Sequence, residues 1–422
     1  MQKAKNFLVQ IVPAPILNIG LSIYHFSLAY LGAILYGYPS RKLTVIGVTG
    51  TKGKSSTAEM VNAILEEAGW KTALLDSIRI KIGGESVANT MRMSMPGRFF
   101  LEHFLSDALA SGSRAVILEM TSEGARQHRH RFIELDALVF TNLAPEHIES
   151  HGSYEAYADS KFEIGLQLAR SRKRPRVVVA DADDPESTRY LMLPVELSFP
   201  FSLSVNIPSS ADERGGYFTF FDTRIPVHQP GKFSLKNALA AATLAHAIGI
   251  PVGTIARGLD RLKVISGRAE RIEAGDFTVV VDYAHTPDSL AALYDAYARV
   301  RKICVLGATG GGRDAWKRPV MGKIAAENCE HVILTNEDPY DEDPNMIIED
   351  LARDMKKKPE IVMDRRAAIR RALELARPGD AILISGKGTD PSIMGANGVS
   401  VPWSDARVAQ EEITHALRAK GS

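Results

Sequence analysis

The stretch Gly47-Val48-Thr49-Gly50-Thr51-Lys52-Gly53-Lys54-Ser55-Ser56 decides the fold. Before it, Leu43 to Val48 is a short apolar run rich in β-branched residues, which reads as a buried strand. After it, a helical pattern runs from about Ser55 to Ala68 and stops near Gly69. Glycines between a strand and a helix let backbone N–H groups turn inward around phosphate oxygens. The helix N-terminus adds roughly half a positive charge at the same place. On this reading Gly50, Thr51, Lys52, Gly53, Lys54, Ser55 and Ser56 form a phosphate loop. Lys54 would reach the β- and γ-phosphates of ATP, and the Ser55 hydroxyl would ligate Mg²⁺. The common pattern wants a glycine where Val48 stands, so the spacing is a variant one. The bland alternative is a glycine-rich structural turn.

Outward from the loop, strands and helices alternate. Thr72 to Leu75, Arg114 to Leu118, Ala137 to Phe140 and Val177 to Ala180 read as strands with helical stretches between them. That habit predicts an α/β fold with a mostly parallel sheet. Ser198 to Val227, rich in Phe, Ser, Thr and Pro, suggests short antiparallel strands at a sheet edge. Helices follow from Lys236 to Ile248 and between Pro251 and Leu262. A domain boundary falls near Val264 to Arg268, and the alternation then restarts as a smaller α/β domain. The expected division is an apolar N-terminal helical segment (1–40), a central ATP-binding domain (41–265) and a C-terminal domain (266–422).

The 422 residues suffice for two globular domains with full cores. The net charge of +1 gives no field that would draw nucleic acid. Cys304 and Cys329 make neither a disulfide framework nor a zinc cluster, so a reducing cytosol is the expected compartment. Between Lys5 and Arg41 there is no Asp, Glu, Lys or Arg. Ile16 to Tyr38 has the length of a spanning helix, but Asn18, Ser22 and His25 would put a polar stripe on it. Two readings stay open: a helix packed on the catalytic body, or a membrane-contacting anchor.

The loop Thr49 to Ser56 resembles the nucleotide loop of the Mur ligases and folylpolyglutamate synthases, and further blocks follow in the family's order. They are Glu119-Met-Thr121-Ser122-Glu-Gly124, Thr141-Asn-Leu-Ala-Pro-Glu-His147 through Gly152, and Tyr157-Ala-Asp-Ser-Lys161. Then come Gly267-Arg268-Ala-Glu270, Asp282-Tyr-Ala-His-Thr-Pro-Asp288, Arg313-Asp with Lys317-Arg318-Pro, and Ser385-Gly-Lys387-Gly388. The chain is identified as a Mur ligase family member. It is most similar to the branch that adds the third amino acid of peptidoglycan. The resemblance implies a P-loop NTPase-like central domain, a Rossmann-like C-terminal domain and an ADP-forming ligase. Such a ligase joins a carboxylate to an amine through an acyl-phosphate.

The resemblance also distributes roles. Glu119 would bridge two Mg²⁺ ions and His147 would hold the second. Lys161 matches a lysine carbamylated by CO₂, which turns a cation into an anion that supports the second metal. Asn237 would lie near adenine, Asp282 would bond the ribose hydroxyls, and Arg268 would touch the phosphates once the domains close. Thr121, Ser122 and Arg129 fall where the anionic substrate binds. By itself the run Arg126 to Arg131 reads equally as a solvated loop. Gly310 to Asp314 alone is a turn or a second phosphate cradle; within the family it shapes the site.

Two departures stand out. Family members begin with roughly a hundred residues that bind a UDP-sugar. Only about forty nearly uncharged ones precede the loop strand here. A donor presented by another protein, or a lipid-linked donor, is then conceivable. The acceptor pocket also differs. The diaminopimelate-adding enzymes carry an arginine clamp where this chain has Asn336-Glu-Asp338-Pro-Tyr340, and Gly386-Lys387-Gly-Thr-Asp390 replaces a later Gly-Lys-Gly-His-Glu. Asn336, Asp338, Lys387 and Asp390 are the expected acceptor residues, with the two aspartates favouring a distal amine such as that of lysine or ornithine. The competing readings are a folylpolyglutamate-synthase-like glutamate ligase and a scaffold subunit that binds ATP without ligating.

Overall fold

The computed structural model describes residues 14–97, 99–146, 148–312 and 314–420. Its residues fall into two compact units. The first comprises Met1–Leu143, Glu155–Phe201 and Thr243–Ile250; the second comprises Ala144–Tyr154, Ser202–Ala242 and Pro251–Ser422.

The first unit is built on β1 (Thr44–Thr49), β2 (Thr72–Leu75), β3 (Arg79–Ile82), β4 (Glu85–Ala88), β5 (Ala115–Glu119), β6 (Ala137–Phe140), β7 (Val177–Asp181) and β8 (Leu197–Phe201). These form one sheet in the order β4-β3-β2-β5-β1-β6-β7-β8. The strands from β2 to β8 in that order pair in parallel, and β3 and β4 add on antiparallel. β1 lies between β5 and β6, with Val48 opposite Glu119 and Thr49 opposite Phe140. Five of its six residues are buried, and β2, β5, β6 and β7 are buried along their whole length. That is the signature of parallel strands covered on both faces. Fully burying each Val, Leu or Ile contributes about 1.5–3 kcal/mol.

Two details of this sheet depart from the sequence reading. The hairpin β3–β4, turning at Gly83-Gly84, was not expected. The stretch around Ser198 divides. β8 runs parallel at the edge of the large sheet, whereas β9 (Ser210–Asp212), β10 (Gly215–Phe220) and β11 (Thr223–Val227) form a separate antiparallel sheet. At that edge β8 carries Pro200. Leu197 turns its N–H to Arg176 O (3.1 Å), and Phe201 accepts from Ala182 N (2.8 Å). Strand alternation therefore leaves the Pro200 nitrogen on the outer side.

In the second unit β12 (Glu270–Ala274), β13 (Phe277–Asp282), β14 (Lys302–Leu306), β15 (His331–Leu334), β16 (Glu360–Ile361) and β17 (Ala381–Ser385) form a sheet in the order β12-β13-β17-β14-β15-β16. All pair in parallel except β12. Alternate residues feed separate cores: Cys304, Leu306 and Leu383 one, Ile303, Val305 and Ile382 the other. A short pair, β18 (Ser392–Met394) and β19 (Ser400–Pro402), follows.

One disulfide joins Cys304 in β14 to Cys329, just after the helix Lys317–Asn328. A count of two cysteines gave no reason to expect the pair. One strand-to-helix crossover brings together side chains 25 residues apart in sequence.

The apolar N-terminal stretch forms the helix Ala14–Leu35. Among the described residues no helix is long and apolar enough to cross a membrane.

Candidate nucleotide and ligation site

In the first unit the site grows from the carboxyl end of β1. Gly50 takes φ +143°, and a Cβ there would lie 2.0 Å from Thr141 Oγ1. Only glycine fits, and the backbone is free to bend back on itself. Gly53, at φ 79°, is the N-cap of the helix Lys54–Glu67. The loop is pinned from β6: Asn142 O accepts from Thr51 N (2.8 Å), and Asn142 Oδ1 from Lys52 N (2.9 Å). Thr141 Oγ1 donates to Lys52 O (2.6 Å).

Glu119 ends β5, beside the loop. Ser55 Oγ donates to its Oε2 (2.8 Å), and Ser77 N donates to the same oxygen (2.9 Å). Lys54 Nζ lies 3.9 Å from Glu119 Oε1 and donates to Thr51 O (2.9 Å). Lys161, on the helix Tyr154–Arg170, is buried and donates to Gly50 O (2.6 Å). Its neighbour Tyr157 shares a hydrogen bond with Thr51 Oγ1 (3.0 Å). Lys54, Ser55, Glu119 and Lys161 thus surround one loop.

The donors at this loop are a hydroxyl and a carboxylate, hard oxygens of the kind Mg²⁺ takes together with phosphate oxygens. With the glycine cradle and the helix N-terminus, they fit a magnesium nucleotide. His147 lies outside the described residues, as does Arg313.

Sequence reading passed over Asp76 and Ser77. They follow β2, which neighbours β5, so both sit at the carboxyl edge where ligands bind in such sheets. Asp76 Oδ1 accepts from Ile78 N and Arg79 N (2.8 Å each), whereas Oδ2 has no hydrogen-bond partner among the described residues. Burial, then the charges of Glu59 and Glu119, holds its carboxyl well above the usual range. Polar residues ending a predicted strand were the available signal.

Thr121 caps the short helix Ser122–Arg126, and Ser122 is buried. Arg129 donates to Met95 O and to Gln127 Oε1, and burial lowers its pKa.

The second unit gathers its candidates at the carboxyl ends of β13, β15 and β17. Asp282, opposite Ser385, accepts from Ala269 N (2.6 Å) and Ala284 N (2.7 Å), and burial raises its pKa. Arg268 stands 4.7 Å over the Tyr283 ring. Asn237 lies within the helix Gly231–Ala247, which starts five residues before the expected Lys236; Asn237 does not open it. Gly231, at φ +80°, lets the chain enter this helix early. Lys387 is fully buried and donates to both Asp338 oxygens (2.9 Å each) and, at 3.4 Å, to Asp390. Asp338 also accepts from Met394 N (2.8 Å). Its charge is therefore already matched within the protein, while Asp390 keeps partial exposure. Asn336 Oδ1 accepts from Glu337 N (3.0 Å). Tyr340 adopts φ 53° and donates its N–H to Met394 O (3.2 Å).

Comparison with known proteins adds a family. The Mur ligase middle domain matches residues 48–245, and the Mur ligase glutamate ligase domain matches residues 267–388. A UDP-N-acetylmuramyl-tripeptide synthetase of Roseiflexus sp. is 35% identical over 434 aligned positions, covering 95% of this chain and 84% of that protein. A UDP-N-acetylmuramoyl-L-alanyl-D-glutamate–2,6-diaminopimelate ligase of Syntrophomonas wolfei is 33% identical, covering 91% and 81%. Among solved structures, the Mycobacterium tuberculosis folylpolyglutamate synthase superposes with TM-score 0.71 at 17% identity, over 86% of this chain and 93% of that one, a likeness of fold.

Proposed function

The chain belongs to the Mur ligase family of ATP-dependent acid–amino acid ligases, and we propose that Lys54, Ser55, Glu119 and Lys161 carry the ligation chemistry here. A carboxylate repels nucleophiles. Moving the γ-phosphoryl of ATP onto it gives an acyl-phosphate, which an amine attacks to form the amide, releasing phosphate. The work left to the protein is to gather and align anionic oxygens.

The single observation that carries this reading is the cluster at the loop, with Ser55 Oγ 2.8 Å and Lys54 Nζ 3.9 Å from the Glu119 carboxylate. Lys54 would hold the β- and γ-phosphates, and Gly50 to Ser56 would receive the phosphate oxygens on backbone N–H groups. Ser55 and Glu119 would hold Mg²⁺. The ion supplies charge neutralisation of the phosphate oxygens when bound. We assign a second Mg²⁺ to Glu119 with His147, supported by a carbamylated Lys161. Lys161 is buried beside the loop, with its Nζ on Gly50 O, which supports that placement. Asn237 and Asp282 would hold adenosine and Arg268 the phosphates.

For the substrates, we assign the anionic donor to Thr121, Ser122 and Arg129, and the acceptor to the region of Asn336, Lys387 and Asp390. Because Lys387 neutralises Asp338, selection of a distal amine falls to Asp390. The donor class follows the relatives: a peptidoglycan-precursor carboxylate. The domain division at about residue 265 and a cytoplasmic location belong to the same reading. Residues 6–40 are the segment for contact with a membrane or a donor-presenting protein, and 6–13 lie outside the described residues.

The test is phosphate release by purified protein with ATP and Mg²⁺ against panels of donor carboxylates and amino acids. Release that requires both partners supports ligation. Release that ignores the amine contradicts it.

A further inference from the structure

The helix Ala14–Leu35 carries no charged residue. One side packs on the first unit. Ser22 Oγ hydrogen-bonds His128 Nε2 (2.8 Å), and the Phe26 and Tyr30 rings each lie 5.3 Å from that of Phe132. Near the end Ala33 is fully buried, and a Cβ on Gly32 would strike Phe99 at 2.8 Å. At 100° per residue these contacts define one face. The side away from these contacts presents Leu31 (54% exposed), Tyr24 (50%) and Leu35 (69%), flanked by Ile23 (62%) and Ile34 (48%), and Phe26, Tyr30 and Ile19 keep exposed parts as well. A helix apolar on every side is ordinarily covered on every side. Among the described residues this one is covered on one side, and the stripe left uncovered there is too large to be a scatter of surface residues.

Charge decides what covers it. No Asp or Glu occurs before Glu59, while Lys3 and Lys5 precede the apolar stretch and Arg41 and Lys42 follow it. Arg41 and Lys42 are exposed in the turn Pro39–Lys42, and the Arg41 guanidinium rests 3.9 Å over the Tyr38 ring and 3.9 Å from Glu134. A second copy of the chain would bring the same basic ends together. An anionic surface complements the basic end at Arg41 and Lys42 and accepts the apolar stripe before it. Tyr24 suits that boundary, where an aromatic ring meets lipid and its hydroxyl meets water.

We propose that the face formed by Ile23, Tyr24, Leu31, Ile34 and Leu35 seats this protein on an anionic lipid bilayer, lying in the interface without crossing it. The inference rests on the membrane contact proposed for residues 6–40 and names its lipid class, and its test reads out separately from the ligation chemistry.

The test uses the full chain and sedimentation with vesicles, of phosphatidylcholine alone or of equal parts phosphatidylcholine and phosphatidylglycerol. The expected result is at least roughly tenfold more protein pelleting with the anionic vesicles. Ile23→Glu with Ile34→Glu should abolish pelleting while thermal unfolding stays unchanged. Arg41→Glu with Lys42→Glu, which leaves the helix intact, should remove the preference for anionic lipid. Protein that stays in the supernatant with both vesicles overturns the proposal. So does equal pelleting with both. A dimer in light scattering that Ile23→Glu converts to monomer assigns the face to a second copy and overturns it too.

Discussion

Ser55 and Glu119, 64 residues apart, are joined by a 2.8 Å hydrogen bond from the Ser55 hydroxyl to Oε2, which also accepts the Ser77 N–H. The bond fastens the first turn of the loop helix to the end of β5. It aims a hydroxyl and a carboxylate at the same spot. Replacing Glu119 by Gln keeps the shape and removes the charge. The expected result is a fall in kcat/KM of about 10²–10³-fold, the size for loss of one charge-stabilising group. Steady-state phosphate release measures it. Lys54→Ala should cost as much or more, and turnover untouched by it would remove the basis of the ligase reading.

Lys161→Ala removes the buried amine that faces Gly50 O. Activity should fall by about 10²-fold or more and return in part when short carboxylic acids are added, since these restore an anion in the emptied space. A variant fully active without them excludes a carbamate role.

Gly50→Ala sets a methyl group against Thr141 Oγ1, where 2.0 Å is available. Neither partner is the end of a flexible chain, so the loop must move. Nucleotide affinity should drop by an order of magnitude or more, since the phosphate cradle is backbone geometry, while circular dichroism stays unchanged. Calorimetric titration with ADP and Mg²⁺ reads this directly.

Asp338→Asn removes the negative charge beside the fully buried Lys387 ammonium and leaves Asp390, at 3.4 Å, as its anionic partner. Removing one member of a buried pair costs about 3–5 kcal/mol. Urea unfolding should show a loss of that order, and Lys387→Met in the same background should recover much of it.

Glu102, on the helix Phe100–Ala110, is pushed up to about 7 by burial, and its Oε2 has no hydrogen-bond partner among the described residues. A carboxyl raised in the folded state favours folding while it stays protonated. That stabilisation is complete below the unfolded value near 4.5 and is lost as pH rises through about 7. Glu102→Gln should therefore melt close to the parent at pH 4.5 and higher than it at pH 8. Melting curves across that range check the divergence.

Much of the architecture was legible because parallel strands buried on both faces announce themselves as apolar runs. Thr72–Leu75 and Ala137–Phe140 were placed to the residue. The hairpin Arg79–Ile82 with Glu85–Ala88 escaped because β4 is exposed throughout and has no apolar pattern. Lys54 and Ser55 were proposed from the loop and Glu119 from its block in the family order, and the fold brings the three together. Asp338 misled because sequence shows a carboxylate but not the lysine already paired with it 49 residues later. Ser77 and Asp76 were hidden for a similar reason. Their place beside Glu119 depends on β2 being the neighbour of β5, a matter of strand order.

Pro200 on the outer side of β8 has a consequence for how this protein behaves when concentrated. An unpaired strand is a template for another chain to zip onto, and a nitrogen without hydrogen breaks the zipper at mid-length. The far rim of the same sheet, β4, spans four residues, all exposed, and starts with Glu85. Neither rim of the eight-stranded sheet invites fibril growth, so Pro200→Val should shorten the lag before thioflavin-positive aggregates form on prolonged warm incubation.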